Sequence, residues 1–192
     1  AKEGDYEIFY GSHDGALLYF DKGSGNDYLE IFPRAKTGTY TLPETVDTIR
    51  PYAFNNAKIS KVIISKTVTA VSENAFYNCG ALETIEFATG RESDVTIHAN
   101  AFSGLSKVTM LKLPARITPF DADMTVLRSL PALNTILVEE GSSVYTAVDN
   151  FLCDASPAGL TILYVPQTVR GEFKAPMGIS GEYEIPQGVR EI

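Results

Sequence analysis

The 192-residue chain contains no tryptophan, only two cysteines and two histidines, and carries a net charge of −8. Each scarcity excludes something. Cys79 and Cys153 stand far apart, with no second Cys or His at ligand spacing, so they make neither a disulfide framework nor a metal site. They read as small buried hydrophobes, although a single bridge stays open for an exported protein. The acidic balance argues against nucleic-acid binding, which needs a basic stripe. The longest apolar run, Ala16 to Phe20, is far too short to cross a bilayer, so direct membrane insertion is not expected. No export signal or sorting tail is recognisable, which fits a cytosolic chain or one whose targeting segments were removed.

Chemistry is equally sparse. His98 lies at a strand end, and His13 sits in the turn-like Gly11-Ser12-His13-Asp14-Gly15; both read as surface or turn residues. No Gly-x-Ser-x-Gly, phosphate loop or dinucleotide fingerprint occurs. Asp21 and Asp27 bound a Gly-rich turn, and Asp121-x-Asp123 forms a short acidic pair. Neither segment offers more than two carboxylates, where calcium wants six to eight oxygens. The expectation is a non-enzymatic protein without metal or cofactor.

What is abundant is β-forming and turn-forming. Thr, Val, Ile, Tyr and Phe make one third of the chain, and 15 Gly and 10 Pro punctuate it. The order of these residues is periodic. Ala-Phe occurs at Ala53-Phe54, Ala75-Phe76 and Ala101-Phe102, each followed by an apolar ladder. The ladders are Ile59-x-x-Val62-x-Ile64, Leu82-x-x-Ile85-x-Phe87 and Val108-x-x-Leu111-x-Leu113. A fourth, Leu133-x-x-Ile136-x-Val138, follows in step. Upstream of each Ala-Phe is a second apolar pair: Val46 and Ile49, Val68 and Val71, Val95 and Ile97. A unit this short cannot bury its apolar face alone, but stacked on copies it can. The spacing predicts parallel strand pairing between rungs and an internal stack of Phe54, Phe76 and Phe102.

A longer self-match brackets these rungs, with residues 14–43 aligning on 147–176. It predicts paired strands Leu17–Phe20 and Leu29–Phe32 joined by a turn over 21–27. A Pro-to-Pro step of ten recurs at Pro33–Pro43, Pro166–Pro176 and Pro176–Pro186, and residues 182–192 repeat 39–49. The expected organisation is one solenoid domain over 1–192. Central rungs run over about 40–143, with longer β rungs over about 10–43 and 144–186. The sequence is expected to be part of a longer array.

The motif Ile-Pro-x-x-Val-x-x-Ile-x-x-x-Ala-Phe-x-x-Cys-x-x-Leu-x-x-Ile is assembled here from Leu42-Pro43, Val46, Ile49, Ala53-Phe54, then in the next copy Ala75-Phe76, Cys79, Leu82 and Ile85. It resembles the BspA-like leucine-rich repeat of bacterial and protist surface proteins, over about residues 14–192. Ala57 and Leu105 replace the Cys, and Ala-Phe is missing after Ile117, where the return segment departs from the pattern. The resemblance implies a leucine-rich-repeat-like stack of short parallel strands, cell-surface or extracellular display, and adhesion to host or partner macromolecules without catalysis. A structural spacer or stalk is the alternative.

Between the apolar ladder positions, the intervening residues face outward in columns. Lys61, Thr84, Met110 and Thr135 form one; Ile63, Glu86, Lys112 and Leu137 form the next. This partly apolar face is the candidate site for a protein or glycan ligand, with Glu86 and Lys112 expected to pair across rungs. Stacking on sugars is less expected without tryptophan. Ligand identity and oligomeric state are not encoded in any recognisable motif.

Overall fold

The computed structural model describes residues 8–155 and 161–168. Its strands are β1 (Ile8–His13), β2 (Ala16–Asp21), β3 (Asn26–Ile31), β4 (Thr37–Thr41), β5 (Thr48–Ile49), β6 (Lys58–Ile64), β7 (Ala70–Val71), β8 (Thr84–Phe87), β9 (Thr96–Ile97) and β10 (Met110–Leu113). A short helix α1 (Thr125–Arg128) follows, then β11 (Thr135–Val138), β12 (Tyr145–Val148), β13 (Phe151–Asp154) and β14 (Ile162–Tyr164). The chain is a mainly β solenoid, as the repeat predicts.

The apolar ladders become one wall of the stack. β4, β6 and β8 pair in parallel, as do β10 and β11. The upstream apolar pairs give the return strands β5, β7 and β9, which continue in parallel from β3. Period-2 alternation explains the burial. In β8 and β10 the ladder residues Ile85, Phe87, Leu111 and Leu113 are buried, and the residues between them are exposed. Val46, Ile49, Val68 and Val71 are fully buried from the opposite wall.

The phenylalanine stack forms as predicted and is longer. Phe54 lies flat on Phe76 at 4.5 Å, and Phe76 meets Phe102 at 5.8 Å. Phe32 extends the row at 4.9 Å from Phe54. Backbone bonds bind the corners in the same order: Phe32 N donates to Ala53 O, Phe54 N to Ala75 O and Phe76 N to Ala101 O, at 2.8–2.9 Å. Each corner turns through two left-handed residues, Tyr52, Asn74 and Asn100 before the Ala, and Asn56, Asn78 and Gly104 after the Phe. Asn and Gly tolerate that region best. Asn78 Nδ2 also donates to Asn56 Oδ1 at 2.7 Å across rungs.

Both flanking segments are antiparallel. β2 and β3 pair as expected, and β1, which the repeat pattern does not predict, adds an outer strand. In the second copy β13 pairs with β12 and β14. The expected features at Pro176 and Pro186, and the repeat over 182–192, lie outside the described residues. The departure after Ile117 has a structural counterpart: α1 replaces the Ala-Phe corner and buries Val126 and Leu127. Tyr145 closes that gap, its hydroxyl accepting from Phe120 N at 2.5 Å and its ring stacking on Phe120 at 5.3 Å.

Candidate functional site

The outward columns lie in register within each block of the ladder wall. Lys61 pairs with Thr84 and Ile63 with Glu86; Met110 pairs with Thr135 and Lys112 with Leu137. Thr84, Glu86, Met110, Lys112 and Leu137 are exposed, whereas Lys61, Ile63 and Thr135 are only partly so. The apolar character of the face therefore rests on Met110 and Leu137, which are 51% and 41% exposed, more than on Ile63.

The two blocks are not joined by ladder hydrogen bonds: β8 and β10 belong to separate sheets. A single residue type accounts for one end of this seam. At two rungs the residue after the strand donates backward, Ala88 N to Ile64 O and Glu139 N to Leu113 O, both at 2.9 Å. The equivalent residue after β10 is Pro114, which has no N–H to give to Phe87 O. At the other end Glu83 N donates to Ser60 O and Asn134 N to Thr109 O, but Thr109 N makes no such bond to Glu83 among the described residues.

A groove of about 440 Å³ opens along the seam. Thr84, Glu86, Met110 and Lys112 line it, with Glu83 and Glu139, so half of the predicted face converges there. The expected Glu86–Lys112 pair does not form. Glu86 instead meets Lys61 at 2.5 Å, across the hydrogen-bonded β6–β8 ladder. The unbonded seam does not hold Glu86 and Lys112 at ladder spacing, which leaves Lys112 without a carboxylate partner among the described residues. Lys107 answers Glu83 at 3.4 Å.

Behind the groove sits a charge that sequence reasoning missed. Arg91 is 8% exposed, donates to Val68 O and to Ser65 O, and lies 6.0 Å from the Phe87 ring. Burial pushes its guanidinium below the usual range, and nearby Glu139 partly opposes that. Glu139 in turn accepts from Ala115 N at 3.1 Å. The only available signal was the length of this rung, whose extra residues form the loop that carries Arg91.

The other residues singled out from sequence have local roles. Asp21 accepts from Gly23 N, Ser24 N and the Ser24 hydroxyl, and these bonds hold its carboxyl below the usual range. Asp121 accepts from the Thr125 amide and hydroxyl at the start of α1. His13 lies 3.5 Å from the Tyr40 hydroxyl, and His98 is exposed. Cys79 and Cys153 are free and buried; Cys79 donates to Phe54 O at 2.8 Å, and burial pushes its thiol up to about 11. Among the described residues no three His, Cys, Asp or Glu side chains gather as a metal-binding group.

Short parallel strands at a step of 22–26 residues, with an apolar ladder on one wall and Ala-Phe corners, define a leucine-rich-repeat solenoid. The BspA type Leucine rich repeat region matches residues 29–140 in 6 copies, and the chain belongs to that family. No curated protein shows significant similarity to it. Among solved structures, a leucine-rich repeat protein from Bacteroides capillosus is similar at 19% identity and TM-score 0.60, over 68% of this chain and 98% of that one. A leucine rich cell surface protein from Faecalibacterium prausnitzii matches at 17% identity and TM-score 0.42, over 92% of this chain and 66% of that one. The pneumococcal vaccine antigen PcpA matches at 14% identity and TM-score 0.46, over 87% and 56%.

Proposed function

We propose that this chain is a non-enzymatic, surface-displayed binding module that recognises a partner macromolecule through its ladder wall. The observation that carries the reading is the seam groove, where exposed Met110 and Lys112, which has no carboxylate partner among the described residues, stand together beside Leu137. An apolar patch next to an unanswered charge leaves solvent-exposed groups that a partner can cover. Membership in the BspA-type leucine-rich-repeat family supports surface display.

The test is a binding scan of the purified chain over extracellular-matrix proteins and glycans by biolayer interferometry. Any ligand found is then measured against the variant Met110→Ser/Lys112→Glu/Leu137→Ser. The affinity is expected to fall at least about tenfold, which corresponds to about 1.4 kcal/mol, with the melting midpoint unchanged. Equal affinity in the variant would remove the ladder wall from the interaction. Silence across the whole scan would favour a spacer that projects another part of a surface protein.

A further inference from the structure

A second concavity, of about 310 Å³, lies away from the ladder wall at the first Ala-Phe corner. Its apolar lining includes Ile31, Pro51 and Tyr52, and its polar lining is Glu30, Arg34 and Asn55. Ile31 is 58% exposed and Tyr52 52%, with Tyr77 in edge contact with Tyr52 at 5.8 Å.

Three features single this corner out. First, Tyr52 has φ of 60° in the column where the other rungs place Asn74 and Asn100. A bulky side chain is disfavoured in that conformation, so the rung carries a strained tyrosine where asparagine would fit without cost. Its ring is not buried in return. Second, the carboxylate at the site is already answered: Glu30 holds Arg50 at 2.7 Å. Third, the donors are not. Arg34 has no carboxylate partner among the described residues, and Asn55 gives only its carbonyl, to Asn56 Nδ2 at 2.5 Å. An apolar cup with unpaired donors at its rim complements one chemistry, a side chain that is apolar and neighbours a carboxylate.

We propose that this corner is a docking site for a partner protein segment in which an aromatic or large aliphatic residue adjoins an Asp or Glu. Tyr52, Pro51 and Ile31 take the apolar side chain, and Arg34 with Asn55 takes the carboxylate. Exposed Ile31 and Pro51 favour a peptide over a sugar, whose hydroxyls they cannot answer.

The test uses an array of acetylated hexapeptides centred on Phe-Glu, Leu-Glu, Phe-Asp and Leu-Asp, beside their Gln and Asn counterparts. Amide shifts in ¹⁵N spectra locate the binding. The acidic peptides are expected to move Ile31, Arg34, Tyr52 and Asn55, and the neutral ones to bind at least tenfold more weakly. Arg34→Gln is expected to abolish that difference. Tyr52→Asn is expected to weaken binding at least tenfold while raising the melting midpoint, because asparagine suits the backbone there. Four results would each overturn the proposal: no shift at the corner with any acidic peptide, equal binding of neutral peptides, a lower midpoint in Tyr52→Asn, or corner shifts produced by oligosaccharides alone. Because Met110, Lys112 and Leu137 are untouched, failure here leaves the ladder-wall reading standing, and failure of that reading leaves this one standing.

Discussion

Phe76 sits between two other phenylalanines and is fully buried, so its truncation opens a cavity that neither neighbour can fill. Phe76→Ala is expected to cost about 3–5 kcal/mol in urea unfolding. Gly104 is constrained for a different reason. Its φ is +82°, and a Cβ there would lie 2.9 Å from Asn78 Cα, a backbone atom that cannot step aside. Gly104→Ala is therefore expected to destabilise by about 1–3 kcal/mol, more than an exposed glycine ordinarily would. Cys79 adds a pH dependence. Below pH 9 the thiol is protonated in folded and unfolded chains alike and contributes nothing. Above it the unfolded chain loses the proton while the folded one keeps it to about 11, so stability falls as pH rises through that window. Buried Tyr145 and Tyr164, also pushed up by burial, act in the same direction at higher pH. Urea midpoints across pH 8 to 11 are expected to decline, and Cys79→Ala to make the early part of the decline shallower, the rest of it coming from buried Cys153, whose thiol burial also pushes up. Single positions were unevenly legible in the sequence. Phe76 declared itself because burial recurs with the repeat, whereas buried Arg91 did not, because its two carbonyl acceptors come from residues that only the fold brings near.

At the level of elements, the strands followed from alternation, and the interruptions between them did not. The ladder residues show where β6, β8, β10 and β11 run, yet nothing in Pro114 alone announces a seam. Proline matters there because the preceding rung needs a donor at that height. The exposed columns were legible for the same reason as the buried ones, but the partner of Glu86 depended on whether adjacent strands were hydrogen-bonded. Hydrogen exchange reads the seam directly. The amides of β10 that face β8 are expected to exchange faster than the corresponding amides of β8 that bond to β6. Equal protection would mean that the ladder closes in solution. The α1 segment was legible only as an absence, since Asp121 and Tyr145 satisfy its backbone from positions outside the repeat.

For the molecule as a whole, a solenoid's stability is close to a sum over neighbouring rungs. That makes the seam a property of the entire stack, because the return wall thins at the same height. Beyond β9 its continuation is the single bridge from Val95 to Ile117. Two hydrogen-bonded blocks therefore meet where both walls hold least, joined by the corner bonds from Phe76 N to Ala101 O and Asn78 N to Ser103 O, by the Val95–Ile117 bridge and by side-chain packing. Under the surface display proposed above this has a mechanical meaning. Tension along the stack loads the inter-rung bonds directly, and the rungs on either side share that load through unbroken ladders. In an optical trap, the first extension step is expected at the junction between β8 and β10, with the flanking blocks intact. A disulfide clamping that junction is expected to raise the force of that step. The proline that interrupts the ladder would then set where the protein yields under tension.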